Sequence, residues 1–67
     1  MTFDEATKIV EDYAEGAGRG RMLLDGLEAI RDELAYCEND EDADMFVTPR
    51  QLMAYRLVCR EMRKLFF

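Results

Sequence analysis

The sequence predicts a small all-α protein: one domain, a bundle of three helices with an acidic loop between the second and the third. Apolar residues recur every three or four positions in three separate segments, which is the spacing of one face of an α-helix. Two of the segments begin with helix-capping motifs, and no stretch is convincing as a strand. The chain has 67 residues and is 49% hydrophobic, which suits one small core and excludes a disordered chain.

The first helix is predicted over residues 3–15. Thr2 and Glu5 have the spacing of a capping box, in which each side chain bonds the other residue's backbone amide. Gly16 is the predicted C-cap, since glycine enters the left-handed region at little cost. One continuous apolar face contains Phe3, Ala6, Ile9, Val10, Tyr13, Ala14 and Ala17.

The glycine-rich segment from Gly16 to Arg21 predicts a tight turn between antiparallel helices. An anion site at the start of the second helix, held by Arg19 and Arg21, is the alternative. The segment lacks the spacing of a phosphate loop and has no preceding strand, so the turn is favoured.

The second helix is predicted over residues 20–37, as the middle helix of the bundle. It carries two apolar stripes, which predict two neighbours, and the second stripe could face another copy of the chain. Gly26 lies between the stripes and predicts a close approach by another helix, because glycine otherwise weakens a helix. The first stripe is Leu23, Leu27, Ile30, Leu34 and Cys37, and the second is Met22, Ala29 and Tyr36.

Five acids in seven residues follow, which predicts a solvated acidic connector. Asp40, Asp42 and Asp44 match the first ligand positions of an EF-hand calcium loop. Met45 replaces its glycine and Gln51 its bidentate glutamate, so no metal is expected, and a degenerate calcium site is kept as an alternative. The same three aspartates are candidate contacts for a basic partner.

The third helix is predicted over residues 49–65. Thr48 is the N-cap, Pro49 occupies the first helical position, and Gln51 completes a second capping box. The apolar run before it, which ends at Val47, is expected to fold onto the core. The predicted apolar face of the helix is Leu52, Tyr55, Val58, Cys59, Met62, Leu65 and Phe66.

A second set of residues on this helix predicts partner binding. Surplus apolar residues on so small a protein indicate an interface, although simple packing of the helix end is equally consistent with them. For the basic residues the favoured alternative is ion pairs with the acids of the first two helices or plain solvation, and contacts to nucleic acid are a further one. The set is Met53, Arg56, Leu57, Arg60, Arg63 and Lys64.

The charge is distributed unevenly. Residues 1–47 carry fourteen acids and four bases, whereas residues 48–67 carry five bases and one acid, for a net charge of −6. The acidic part disfavours nucleic-acid binding, since phosphates are repelled. It permits binding to a basic partner, or imitation of nucleic acid by the acids of the first two helices.

Composition also limits the chemistry. The chain has no His and no Ser, which removes the usual general base and a common nucleophile, so we expect no enzyme and no cofactor. Cys37 and Cys59 are expected to be buried thiols. Neither a signal peptide nor a membrane span is apparent, so a cytoplasmic protein is expected.

Together these features predict a small acidic, non-enzymatic protein that binds or regulates a protein partner. Its size, acidity and helical content resemble those of the accessory proteins that phages use to bind host machinery, which implies docking on, or inhibition of, a host protein. A homo-oligomer is a further expectation, because a core this small gains from association. Nucleic-acid binding by the basic C-terminal helix and calcium binding are the alternatives.

Overall fold

The structure, a computed structural model, describes residues 1–36 and 46–66. This part of the chain forms three helices: α1, Phe3–Gly16; α2, Leu23–Tyr36; and α3, Pro49–Phe66. The predicted all-α three-helix bundle is confirmed. None of the helices in these ranges combines the length and the apolar character that crossing a membrane requires.

The bounds of α1 agree with the prediction to within one residue, but the predicted C-cap is wrong, since Ala17 and not Gly16 is the cap. The hydroxyl of Thr2 accepts from the amide of Glu5 at 3.2 Å. At the other end Gly18, not Gly16, has the left-handed conformation, with φ +74°. The amide of Gly18 donates to the Glu15 carbonyl and that of Arg19 to the Ala14 carbonyl, which is the Schellman pattern with Gly18 after the cap.

Helix α2 begins at Leu23, three residues later than predicted. Gly20 has φ +107°, a value that a right-handed helix cannot contain. The turn therefore uses two glycines with positive φ, one to end α1 and one to redirect the chain. The helix ends at Tyr36, and the predicted last residue, Cys37, lies outside the described residues.

The predicted start of α3 is confirmed in full. The Thr48 amide donates to the side-chain oxygen of Gln51 at 2.9 Å, and the Gln51 amide donates to the Thr48 hydroxyl at 3.2 Å. Pro49 is the first residue of the helix. Of the apolar run expected to fold onto the core, Val47 is buried, whereas Phe46 is 58% exposed and Met45 lies outside the described residues.

The middle helix is α1, so the prediction that α2 lies in the middle is wrong. Helix α1 packs along both α2 and α3, which barely touch each other. Small residues explain this arrangement: Ala6, Val10 and Ala14 are fully buried, and they let a helix approach α1 on either side. Gly26 makes the predicted close approach, because a Cβ added at this position would overlap the backbone of Val10.

The core is small and apolar, and the second stripe of α2 contributes only Ala29 to it. In the second stripe Ala29 is buried, but Met22 and Tyr36 are 70% and 89% exposed. That stripe therefore has no second neighbour in the described part of the chain. The buried core residues are Ala6, Val10, Ala14, Ala29, Ile30, Val47, Ala54 and Val58.

The apolar face of α3 also differs from the prediction in three positions. Leu57, which was expected off this face, is half-buried and packs against the core. Ala54, which is not on the predicted face, is fully buried, and Leu65, which is on it, is 80% exposed. The buried face of α3 therefore centres on Ala54 and Val58, with larger residues such as Leu52 and Met62 packed around them.

Candidate functional site

Helix α3 brings most of the predicted partner-binding residues to one exposed surface. Ala54 and Val58 face the core, so the residues on the opposite side of the helix point away from it. We call this surface the α3 outer face. Five exposed residues and the half-buried Leu57 at its edge form it; the five are Met53, Arg56, Arg60, Arg63 and Lys64.

The cations of the α3 outer face do not pair with the acids of α1 or α2 in the described ranges. Lys64 Nζ lies 3.3 Å from Glu61 Oε1, and Arg60 Nε lies 4.0 Å from the same oxygen. Arg56 and Arg63 have no ion pair in the part of the chain that the structure describes. Of the two parts of the favoured alternative, pairing with upstream acids is not seen there, whereas solvation is, since most of the positive charge faces solvent.

A depression of about 320 Å³ lies beside this face, on the side towards the start of α1. Met1, Met53 and Leu57 give it apolar walls, and Arg56 and Arg60 form its charged rim. Four of these five residues were predicted to bind a partner. Met1 was missed: its place before the Thr2 cap marks it as a residue that could pack near the helix start, but the sequence does not show that α3 passes there.

A second depression, of about 300 Å³, lies on the other side of Arg56 and Arg60 and is completed by Tyr55, Cys59 and Arg63. Partial burial raises the pKa of Tyr55, and the neighbouring Cys59 raises it further, against the opposing charge of Arg31 on α2. Cys59 is a half-buried free thiol, which agrees with the predicted thiol although its burial is incomplete.

Both arginines of the α1–α2 turn are paired with carboxylates. Arg19 Nη1 lies 2.7 Å from Asp32 Oδ2, and Arg21 Nη2 lies 3.2 Å from Glu15 Oε1. The hydrogen bond to Asp32 raises the pKa of Arg19. These pairs hold the turn against α1 and α2, so the geometry supports the helix–helix turn over an anion site.

The acidic candidates Asp40, Asp42 and Asp44 lie outside the described residues. The structure describes only the last residues of the candidate calcium loop. There the Gln51 side-chain oxygen accepts a hydrogen bond from the Thr48 amide. That oxygen is therefore already used to cap α3. Residues 1–36 and 46–66 contain no group of three carboxylates or thiols that could hold a metal ion.

Comparisons with protein-family models, curated proteins and solved structures find no match to this chain. A function must therefore be inferred from the chain's own surface. The α3 outer face is one place where exposed charge and exposed apolar side chains adjoin; the exposed Tyr36 beside Arg19 and Asp32 is another.

Proposed function

We propose that this chain is a small non-enzymatic protein-binding domain, whose partner docks on the α3 outer face. One observation carries the proposal. Four cations on one side of α3 have Glu61 as their only carboxylate partner within the described ranges, and they border an apolar depression lined by Met1 and Met53. A surface of this kind suits an acidic protein surface that also has apolar side chains.

The energetics support a binding role for these cations. Exposed ion pairs contribute only about 0–1 kcal/mol each, so the contacts with Glu61 do little for stability. Exposed methionines likewise add nothing to the core, but they adapt readily to the surface of a partner. Met53 is 62% exposed, and it lies beside Arg56 and Arg60 at the N-terminal end of this surface.

The non-enzymatic part of the proposal rests on the side chains available. The chain has no His and no Ser, and the buried residues of the described part are all apolar or glycine. Shielded polar groups are the usual acids and bases of catalysis. Docking on a host protein as a regulator or inhibitor, in the manner of phage accessory proteins, is the role that the size and acidity suggest.

Nucleic-acid binding is the second candidate, because Arg56, Arg60, Arg63 and Lys64 lie on one side of a helix. Phosphates could follow such a row. The net charge of −6 opposes the binding of nucleic acid, and the apolar walls of the depression beside the row offer no favourable contact to phosphates.

Charge reversal tests the proposal with a matched control. Arg63→Glu changes the α3 outer face, whereas Lys8→Glu makes the same charge change at an exposed position of α1. Neither residue has an ion pair within the described ranges. The chain and both variants would be cross-linked in the native host, and the captured proteins quantified by mass spectrometry. We expect Arg63→Glu to lose a partner that Lys8→Glu retains.

Equal capture by both variants would refute docking on α3. A gel shift with duplex and single-stranded oligonucleotides at low salt tests the second candidate, because phosphate contacts are strongest there. A shift that Arg63→Glu abolishes would replace the protein-binding proposal with nucleic-acid binding.

A further inference from the structure

The two depressions beside α3 share the pair Arg56 and Arg60. These residues are four apart, so they stand one above the other on the same side of the helix, about 6 Å apart along its axis. The α3 outer face is therefore a ridge with a hollow on each side. Two packed helices contact each other through such ridges and hollows, because the side-chain ridges of one helix fit into the grooves of the other.

The two hollows differ in chemistry. The one towards the start of α1 has apolar walls from Met1, Met53 and Leu57. The other combines Tyr55 and Cys59 with a third arginine, Arg63. A complementary surface would place carboxylates along the ridge and an apolar side chain to one side of it.

We infer that the α3 outer face binds an acidic amphipathic helix of a partner protein, which lies along α3 and inserts an apolar side chain between Met1 and Met53. Carboxylates spaced three or four residues apart on that helix pair with Arg56 and Arg60. The inference rests on the proposed function and narrows it to helix-in-groove recognition. Charge complementarity and the paired hollows identify the occupant.

A second copy of this chain fits the surface less well. Each copy has a net charge of −6, so copies repel one another. Helix α1 keeps its apolar side in its own core. The exposed side of α2 carries Leu24 and Glu28, but Arg31 lies on the same side and would oppose the arginines of α3.

Three labelled probes test the inference by fluorescence anisotropy with the full chain. The first is a helical peptide with glutamates at i and i+4 and leucines beside them on one face. The second has the same composition and charge, rearranged so that no face is apolar. The third is a single-stranded oligonucleotide.

We expect the amphipathic peptide to bind about tenfold more tightly than the rearranged one, the effect of burying one aliphatic side chain. Met53→Ser should abolish most of that difference. Leu65→Ser is the matched control, since Leu65 is exposed on the same helix but lines neither hollow, and it should leave the difference intact.

The other outcomes separate the inference from the proposed function. Equal binding of the two peptides, weakened for both by Arg63→Glu, would overturn the helical occupant and keep an acidic protein partner. Tighter binding of the oligonucleotide, or peptide binding that no α3 variant changes, would overturn both. Self-association in sedimentation velocity that Met53→Ser abolishes would assign the surface to a second copy.

Discussion

Substituting alanine for Gly26 tests the closest contact in the bundle. A Cβ added at Gly26 would overlap the carbonyl oxygen of Val10 and would lie 2.7 Å from its carbonyl carbon. Because the obstacle is backbone in the middle of α1, no side-chain rotation can relieve it. Helices α1 and α2 would have to move apart along the contact that also buries Ala29 and Ile30.

The size of the effect follows from two opposing terms. Alanine favours the helix over glycine by about 1 kcal/mol. Overpacking costs about 1–3 kcal/mol, and a clash with fixed backbone belongs at the upper end of that range. The net loss is about 2 kcal/mol, a large part of the roughly 3–5 kcal/mol that a core of this size supplies. It corresponds to a fall in Tm of about 8–16 °C.

Urea and thermal unfolding followed by circular dichroism would measure the loss. Gly16→Ala is the matched control, because Gly16 is also helical but a Cβ added there would meet nothing within 4 Å. That variant should keep its stability or gain up to about 1 kcal/mol. A Gly26→Ala variant as stable as the Gly16→Ala variant would show that α1 and α2 do not pack this closely, and the arrangement with α1 in the middle would have to be revised.

Three further predictions concern the helix ends and a half-buried phenol. Thr48→Ala removes the hydroxyl that accepts the Gln51 amide and should cost about 1 kcal/mol in urea unfolding; an unchanged midpoint would contradict the cap. Gly18→Ala should also cost about 1 kcal/mol, because Gly18 has φ +74° with open space around it, so the loss is purely conformational; urea unfolding measures it, and a variant as stable as the parent chain would contradict the turn. The raised pKa of Tyr55 leaves stability intact below about pH 10 and lowers it as the pH rises further, since the unfolded chain loses the phenol proton first. Tyr55→Phe should remove this alkaline loss when urea midpoints are compared on the two sides of about pH 10, and an identical loss in both proteins would refute the assignment.

Local signals in the sequence predicted most of the helix starts. The caps at Thr2 and Thr48 depend on residues only three positions apart, and both form as expected. The end of α1 was harder, because Gly16, Gly18 and Gly20 compete for the positions with positive φ. The two that adopt them are Gly18 and Gly20. That choice depends on how the turn meets α2, and no local pattern encodes it.

The two apolar stripes of α2 did not show which helix lies in the middle of the bundle. Met22 and Tyr36 have the right spacing for a second interface, but Met22 lies just before α2 and Tyr36 is its last residue, and both are exposed. Helix α1 lies in the middle because its buried residues, Ala6 and Ala14 among them, are small. The number of apolar stripes on a helix reports how much apolar surface it has. The packing order of this bundle instead follows from how closely its helices can approach one another.

The candidate site was predicted residue by residue on α3 but not in its full extent. Helical spacing alone places Met53, Arg56 and Arg60 on one side, and the structure confirms that they are together. Met1 joins them only through the way α1 packs along α3, a contact between residues far apart in the sequence. The sequence therefore predicted the ridge of the α3 outer face and missed one wall of its apolar hollow.

The position of α1 also explains why stability and binding can use opposite sides of α3. Since α1 covers Ala54 and Val58 while α2 barely reaches α3, the core contacts of α3 are confined to the side facing α1. The outer side is left uncovered by α1 and α2. Replacing an apolar residue there should change the stability of the protein only slightly. Exposed Met53 is thus not required by the fold, which leaves it free for the role proposed above, contact with a partner.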